Sequence, residues 1–179
     1  MTAGEPLLEV EDLKVHFPLP RRWLTPPQVV HAVDGVSFAI PRGRTLGIVG
    51  ESGSGKTTTA LAVMRLVDPT SGAIRLLGQD IARLRGEPLR RMRRHVQMIF
   101  QDPYASLDPR ARARDIVGEP LDLMGIGSPA ERRERIAELF AQVGLRPDQM
   151  ALFAHQFSGG QRQRIGIARA LSTQPELIV

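Results

Sequence analysis

Eight consecutive residues, Gly50, Glu51, Ser52, Gly53, Ser54, Gly55, Lys56 and Thr57, fit the pattern G-x-x-x-x-G-K-[ST] without a mismatch, and Thr58 follows them. The chemistry such a run can do is anion binding. Glycines let the backbone wrap until successive amide N–H groups point at one centre, and a helix starting near Lys56 adds the positive end of its dipole. Lys56 is placed to reach the β- and γ-phosphates of a nucleotide, and the Thr57 hydroxyl to ligate Mg²⁺. Of the 24 basic residues only Lys14 and Lys56 are lysines, so a lysine at this position stands out against a chain that otherwise uses arginine.

A second run, Phe157 to Leu171 ("FSGGQRQRIGIARAL"), has the same kind of chemistry in a different form. Ser158 and Gln161 have capping-box spacing, and Gly159 and Gly160 leave the first amides of a helix uncovered. Such an end attracts phosphate. A purely structural capped helix satisfies the same pattern.

The elements that must position these residues follow from periodicity and punctuation. Residues 7–17, "LLEVEDLKVHF", alternate like a half-buried strand, and after the Pro-rich "PLPRRWLTPP" the segment "VVHAVDGVSFAI" resumes β patterning. "TLGIVG" (45–50) reads as a short apolar strand and 57–67 as a helix, the order strand, glycine loop, helix that belongs to α/β folds. "HVQMIF" (95–100) is the next apolar run. Downstream, Ser128, Pro129 and Glu131 sit at N-cap, N1 and N3 of a capping box, with Ile136, Leu139, Phe140 and Val143 on one stripe and Gly144 as the stop. The last helix runs from Ser158 to about Leu171, and "QPELIV" (174–179) opens a buried parallel strand.

Composition narrows the class. With 179 residues, 42% apolar and 24% charged, the chain has room for one domain core. No apolar run approaches the roughly 20 residues of a membrane span, and "MTAGEPLLEV" has neither the basic nor the apolar region of a leader. Cysteine is absent, which excludes disulfides and thiolate metal sites. The net charge of +5 is concentrated in "ARLRGEPLRRMRR", "RARAR" and "ERRER", read either as solvated helix faces or as patches for nucleic acid or acidic headgroups. One Trp and one Tyr offer little base stacking. There is no Asn anywhere, so a guanine-reading Asn followed by Lys-x-Asp is missing and a GTPase is disfavoured. Asp102, after "QMIF", fits either a metal-binding acid at a strand end or, because Pro103 follows, the opening of a turn.

Taken with their order and spacing, these stretches resemble the nucleotide-binding subunit of ATP-binding cassette transporters. "FSGGQ" is similar to that family's signature, with Phe157 for the usual Leu, and falls roughly a hundred residues after the phosphate loop. "HAVDGVSFAIPRGRTLGIVGESGSGKTT", "MIFQDPYASLDPR" and "HQFSGGQRQRIGIARAL" resemble the oligopeptide and dipeptide importer branch, and the Pro-rich insert after Phe17 resembles the second of its two ATPase subunits.

The resemblance implies an α/β P-loop ATPase with an antiparallel β region (7–44), a P-loop core (45–103), an inserted helical subdomain (104–160) and a return to the core (161–179). It implies ATP and Mg²⁺ as ligands, with Thr57 and the Q-loop residue Gln101 at the Mg²⁺. Phe17 is implied to stack on adenine, the competing reading being a sheet-core Phe. Ser158, Gly159, Gly160 and Gln161 are implied to cap the ATP of a second, head-to-tail ATPase subunit. Two integral membrane permease subunits, an indirectly coupled substrate-binding protein, and a peripheral position on the cytoplasmic face of the membrane are implied as well; nucleic acid is not expected. In the family the Walker-B aspartate, the water-polarising glutamate and the switch histidine would follow Val179. The expectation is that residues 1–179 hold no catalytic acid and bind ATP without hydrolysing it. None of His16, His31, His95 and His155 occupies the switch position, and His155 reads as structural. The alternative reading is a non-transport cassette ATPase acting on nucleic acid or ribosomes.

Overall fold

Leu8, Val10, Leu13 and Val15 are all buried, and their spacing shows a slip of one residue between Val10 and Leu13. The computed structural model, which describes residues 5–19, 28–102, 104 and 106–179, explains the slip. Strand β1 (Leu8–Pro18) pairs antiparallel with β2 (Val29–Ile40) on one side and β3 (Ser71–Leu76) on the other, and both registers shift between residues 10 and 14. Asp12 sits there with φ 43, and its N–H donates to Ser37 Oγ at 2.9 Å. This is a bulge, which returns the apolar set to one face after an extra residue. Gly72 of β3 lies against it, so close that a Cβ would come within 2.6 Å of the Glu11 carbonyl oxygen. Short β4 (Gln79–Asp80) completes the sheet in the order β2-β1-β3-β4.

The chain divides into two compact units, Met1–Met92 and Arg93–Val179. In the first, the sheet carries helix α1 (Lys56–Val63), which is shorter than the 57–67 read from the sequence. Arg65, with φ 54, ends it. That arginine is 3% exposed, and its guanidinium donates to the Ile81 and Leu84 carbonyls at 2.8 and 3.1 Å and to Asp68 at 2.5 Å. A buried charge with these partners ties the end of α1 to the following loop. Asp68 answers in kind: Arg65, then Arg85, hold its carboxyl below the usual range. Helix α2 (Gly86–Arg93), within the arginine-rich 82–94, agrees with the solvated-helix reading: it turns Leu89 and Met92 inward and Arg90 and Arg91 to solvent.

The segment 45–50 departs from expectation. It is extended but ladders with no strand among the described residues, and Leu46, Ile48 and Val49 are exposed, Val49 at 92%. Apolar side chains on both faces suit a strand flanked on both sides, and here those flanks are open.

In the second unit, β5 (Val96–Gln97) and β6 (Leu177–Ile178) pair in parallel, extended by Val179 N–H to Gln97 O at 2.9 Å and Ile99 N–H to Val179 O at 2.8 Å. The same unit holds three helices that pack on one another: α3 (Ala113–Met124), α4 (Pro129–Gln142) and α5 (Gly159–Leu171). Their core joins Ile116 and Val117 of α3, Leu139 and Phe140 of α4, and Ile165 and Ala168 of α5. The stripe and stops read from the sequence hold for α4: its capping box is closed in both directions, and Gly144 follows at φ 69. Arg164 of α5 donates to the Val143 and Gly144 carbonyls at 3.1 Å each, satisfying the free end of α4. Helix α3 was not foreseen, since Gly118 and Pro120 interrupt its pattern; the burial of Ile116, Val117 and Leu121 overrides them.

Candidate functional site

The glycine-rich loop precedes α1 in the first unit and is built around Lys56. Its Nζ donates to the Gly50 carbonyl at 2.9 Å, to the Glu51 carbonyl at 2.6 Å and to Ser54 Oγ at 3.4 Å. The ammonium therefore lies inside the curve of its own loop, the place where an anion would meet it. Gly55 is the N-cap of α1, in the left-handed region at φ 88 and with no side-chain cap. The first amides of the helix thus face outward without a local acceptor, as an anion site requires. No carboxylate stands in the first turn of α1 to compete for that positive end.

Gly55 has a second reason to lack a side chain: a Cβ there would collide with the Ala32 carbonyl oxygen of β2. The loop is thus pressed on the sheet at Ala32. Two residues back, Val30 of β2 pairs with Phe17 of β1, a separation of roughly 7 Å along the strand. Phe17 is 42% exposed, an aromatic side chain partly open on the strand pair that carries the loop. The Pro-rich stretch 20–27, on which the resemblance to a second-subunit insert rests, lies outside the described residues. Thr57 is exposed at the first turn of α1, and its hydroxyl is a hard oxygen of the kind that can coordinate Mg²⁺.

In the second unit, the α5 start is closed on itself. Ser158 Oγ accepts from the Gln161 N–H at 3.3 Å, and Gln161 Oε1 accepts from the Ser158 N–H at 3.0 Å. Phe157, 4% exposed, is sunk in the three-helix core and anchors the turn, which leaves Ser158 and Gly160 at the surface. Arg162 braces the same turn from behind through the Phe157 and His155 carbonyls, each at 3.0 Å. His155 Nδ1 lies 3.0 Å from the Pro109 carbonyl oxygen, which fits its structural reading. Gln101, with its own amide oxygen to offer, is exposed just past β5.

Asp102 accepts from the Tyr104 N–H at 2.7 Å, so it opens a turn. Nothing in the local pattern points to Tyr104 itself. Its ring lies 4.3 Å from the Arg162 guanidinium carbon and flanks Gly159, covering one side of the α5 start. Only the Arg162 position, one turn into α5, could have signalled such a partner.

The arginine clusters are mostly engaged within the fold. Arg90 pairs with Glu87 at 3.1 Å, Arg132 with Asp122, and Arg135 with Glu138 at 3.3 Å. Arg169, held below the usual range by burial, donates to the Ser106 carbonyl at 2.8 Å. Among the described residues no helix is long and apolar enough to cross a membrane.

A family model described as "ABC transporter" matches residues 33–179. Among curated proteins, the chain is 51% identical over 184 residues to the oligopeptide transport ATP-binding protein AppF of Bacillus subtilis (strain 168), with 100% of the chain and 56% of that protein covered. It is 44% identical over 175 residues to the di/tripeptide transport ATP-binding protein DppF of Pseudomonas aeruginosa (strain UCBPP-PA14), covering 98% of the chain and 54% of that protein. The chain spans about half the length of the curated relatives it matches. Among solved structures, the dimeric ATP-binding cassette MJ0796 in a post-hydrolysis state bound to ADP and Pi superposes with a TM-score of 0.83 at 29% identity, over 96% of this chain and 72% of that one.

Proposed function

The chain belongs to the ABC transporter family and has its α/β P-loop ATPase fold, and on that footing we propose that it is the ATP-binding, ATP-hydrolysing subunit of an importer that carries oligopeptides or dipeptides across the cytoplasmic membrane. The observation that carries this reading is the ammonium of Lys56 held inside a glycine-lined loop at a helix start that has no cap of its own. An incoming triphosphate exchanges partners with Lys56: the Gly50 and Glu51 carbonyls release it and the β- and γ-phosphates receive it, while the loop amides of residues 50–58 take up the remaining oxygens. Phe17 stacks on the adenine. Thr57 would supply its hydroxyl to Mg²⁺, which when bound would neutralise phosphate charge, and Gln101 is the further ligand that the family resemblance implies.

Ser158, Gly159, Gly160 and Gln161 meet the γ-phosphate on a second, homologous ATPase subunit arranged head to tail. Two membrane permease subunits, served by a substrate-binding protein, receive the motion through the helical subdomain, residues 104–160, at the cytoplasmic face of the membrane. The sequence names of the relatives AppF and DppF support peptides as the cargo.

The test is nucleotide titration. Lys56→Ala is expected to weaken ATP binding by about a hundredfold, in line with losing a charge-assisted contact of roughly 2–3 kcal/mol; affinity equal to that of the unaltered chain would sink the reading. In the same assay a polypeptide confined to residues 1–179 is expected to bind ATP and turn it over only at the background rate, because no residue in it matches the family's water-polarising glutamate.

A further inference from the structure

One cluster of chemistry-bearing side chains stands apart from the residues assigned to nucleotide. His16 of β1 and His31 of β2 are cross-strand partners, with ring centres 4.0 Å apart and planes at 39°. Asp34, which pairs across the strands with Lys14, places one carboxylate oxygen 3.3 Å from His16 Nε2 and the other 3.6 Å from His31 Nδ1. The three donor atoms lie within 4.8 Å of one another.

With no cation bound, each neutral imidazole can turn its own N–H toward the Asp34 carboxylate, so the three side chains are already gathered around it. A divalent cation satisfies all three donors together. Ligands around a tetrahedral Zn²⁺ at about 2.0–2.1 Å stand roughly 3.3–3.4 Å from each other, and the 3.3 Å between His16 Nε2 and one Asp34 oxygen matches that edge. The support is uneven in a way that suits a site. His16 is fixed, its side chain 19% exposed and its backbone N–H donating to Thr70 Oγ1 at 2.8 Å, while His31 and Asp34, at 54% and 57%, leave the entry open.

We propose that His16 Nε2, His31 Nδ1 and a carboxylate oxygen of Asp34 form a binding site for a borderline divalent cation of the Zn²⁺ class, with water in the remaining position. Two nitrogens and one oxygen select Zn²⁺, Ni²⁺ or Cu²⁺ over Mg²⁺ and Ca²⁺, which take oxygen sets. Lys14, salt-bridged to Asp12 at 3.6 Å, is the cation facing the site and weakens it. The site has a mechanical position as well. Beyond Lys14, the last residue that β1 pairs with β3, the described ladder joins β1 to β2 alone, and a two-stranded ribbon is marginal by itself. A cation joining His16 to His31 staples that ribbon beside Phe17.

The experiment uses the purified chain stripped with EDTA and titrated with Zn²⁺ alone, followed by calorimetry and, with Co²⁺ in its place, by the visible absorption that distinguishes tetrahedral from octahedral coordination. One equivalent is expected to bind. His31→Gln and Asp34→Asn, both at exposed positions, are expected to weaken that binding about tenfold or more and to abolish the tetrahedral Co²⁺ spectrum. His95→Gln, which removes the histidine paired with Glu176 in the other unit, is expected to change neither. No binding of one equivalent, or binding that survives both His31→Gln and Asp34→Asn, or binding that His95→Gln removes, would overturn the assignment.

Discussion

Two glycines of the phosphate loop separate backbone strain from crowding. Gly53 has φ 82 with open space where a side chain would go, whereas Gly55 has φ 88 and stands against the Ala32 carbonyl. Gly53→Ala is therefore expected to cost only the left-handed penalty, about 1–2 kcal/mol. Gly55→Ala adds displacement of the loop from β2, so in urea unfolding its loss of stability should exceed that of Gly53→Ala, and its ATP affinity should fall further. Equal effects of the two substitutions would mean that the contact with β2 does not shape the loop. At this scale the sequence was readable where the chemistry is written in consecutive residues. The loop from Gly50 to Thr57 needed no tertiary information, because its own backbone forms the cradle. Tyr104 and the His16, His31 and Asp34 cluster were not readable, because strand register and chain reversal bring those residues together and no local spacing encodes either.

Helix α4 shows what a capping box contributes when nothing else is asked of it. Ser128 accepts from the Glu131 N–H at 3.3 Å, and the Glu131 carboxylate accepts from the Ser128 N–H at 2.7 Å. Ser128→Ala is expected to destabilise the chain by about 1 kcal/mol, read from the urea midpoint. The backbone N–H of Ser128, then its hydroxyl, hold the Glu131 carboxyl below the usual range. A folded-state value below the unfolded one means that this contribution is fully present above about pH 4.3, the ordinary glutamate value, and disappears as pH falls through the lower folded value. The difference in stability between the unaltered chain and Glu131→Gln should accordingly narrow below that pH; a constant difference would deny the carboxylate its role. The elements with closed ends, α4 and α5, were legible from Ser-x-x-Glu and Ser-x-x-Gln. Helix α3 was not, because burial of Ile116, Val117 and Leu121 outweighs the local cost of Gly118 and Pro120.

At the scale of the molecule, a strongly exposed apolar stretch among the described residues lies beside the phosphate loop. Leu46, Ile48 and Val49 form an extended edge with no ladder partner among the described residues, a template for pairing with another chain. A polypeptide of residues 1–179 is expected to self-associate with rising concentration, and Val49→Lys to reduce light scattering by placing a charge on that edge. Unchanged scattering would locate the association elsewhere. The segment read as a strand because its apolar pattern is a strand's; a pattern specifies what a face wants to bury and says nothing of whether a neighbour is there to bury it.

The two Ser-headed helices differ in one atom type at their third position. Glu131 brings an oxygen anion to the start of α4, which spends the dipole of that helix internally. Gln161 closes α5 with the same geometry and no charge, so the positive end of α5 stays available to whatever negative group approaches from outside. An identical fold at both sites thus yields one terminus that is electrically finished and another that still has something to attract.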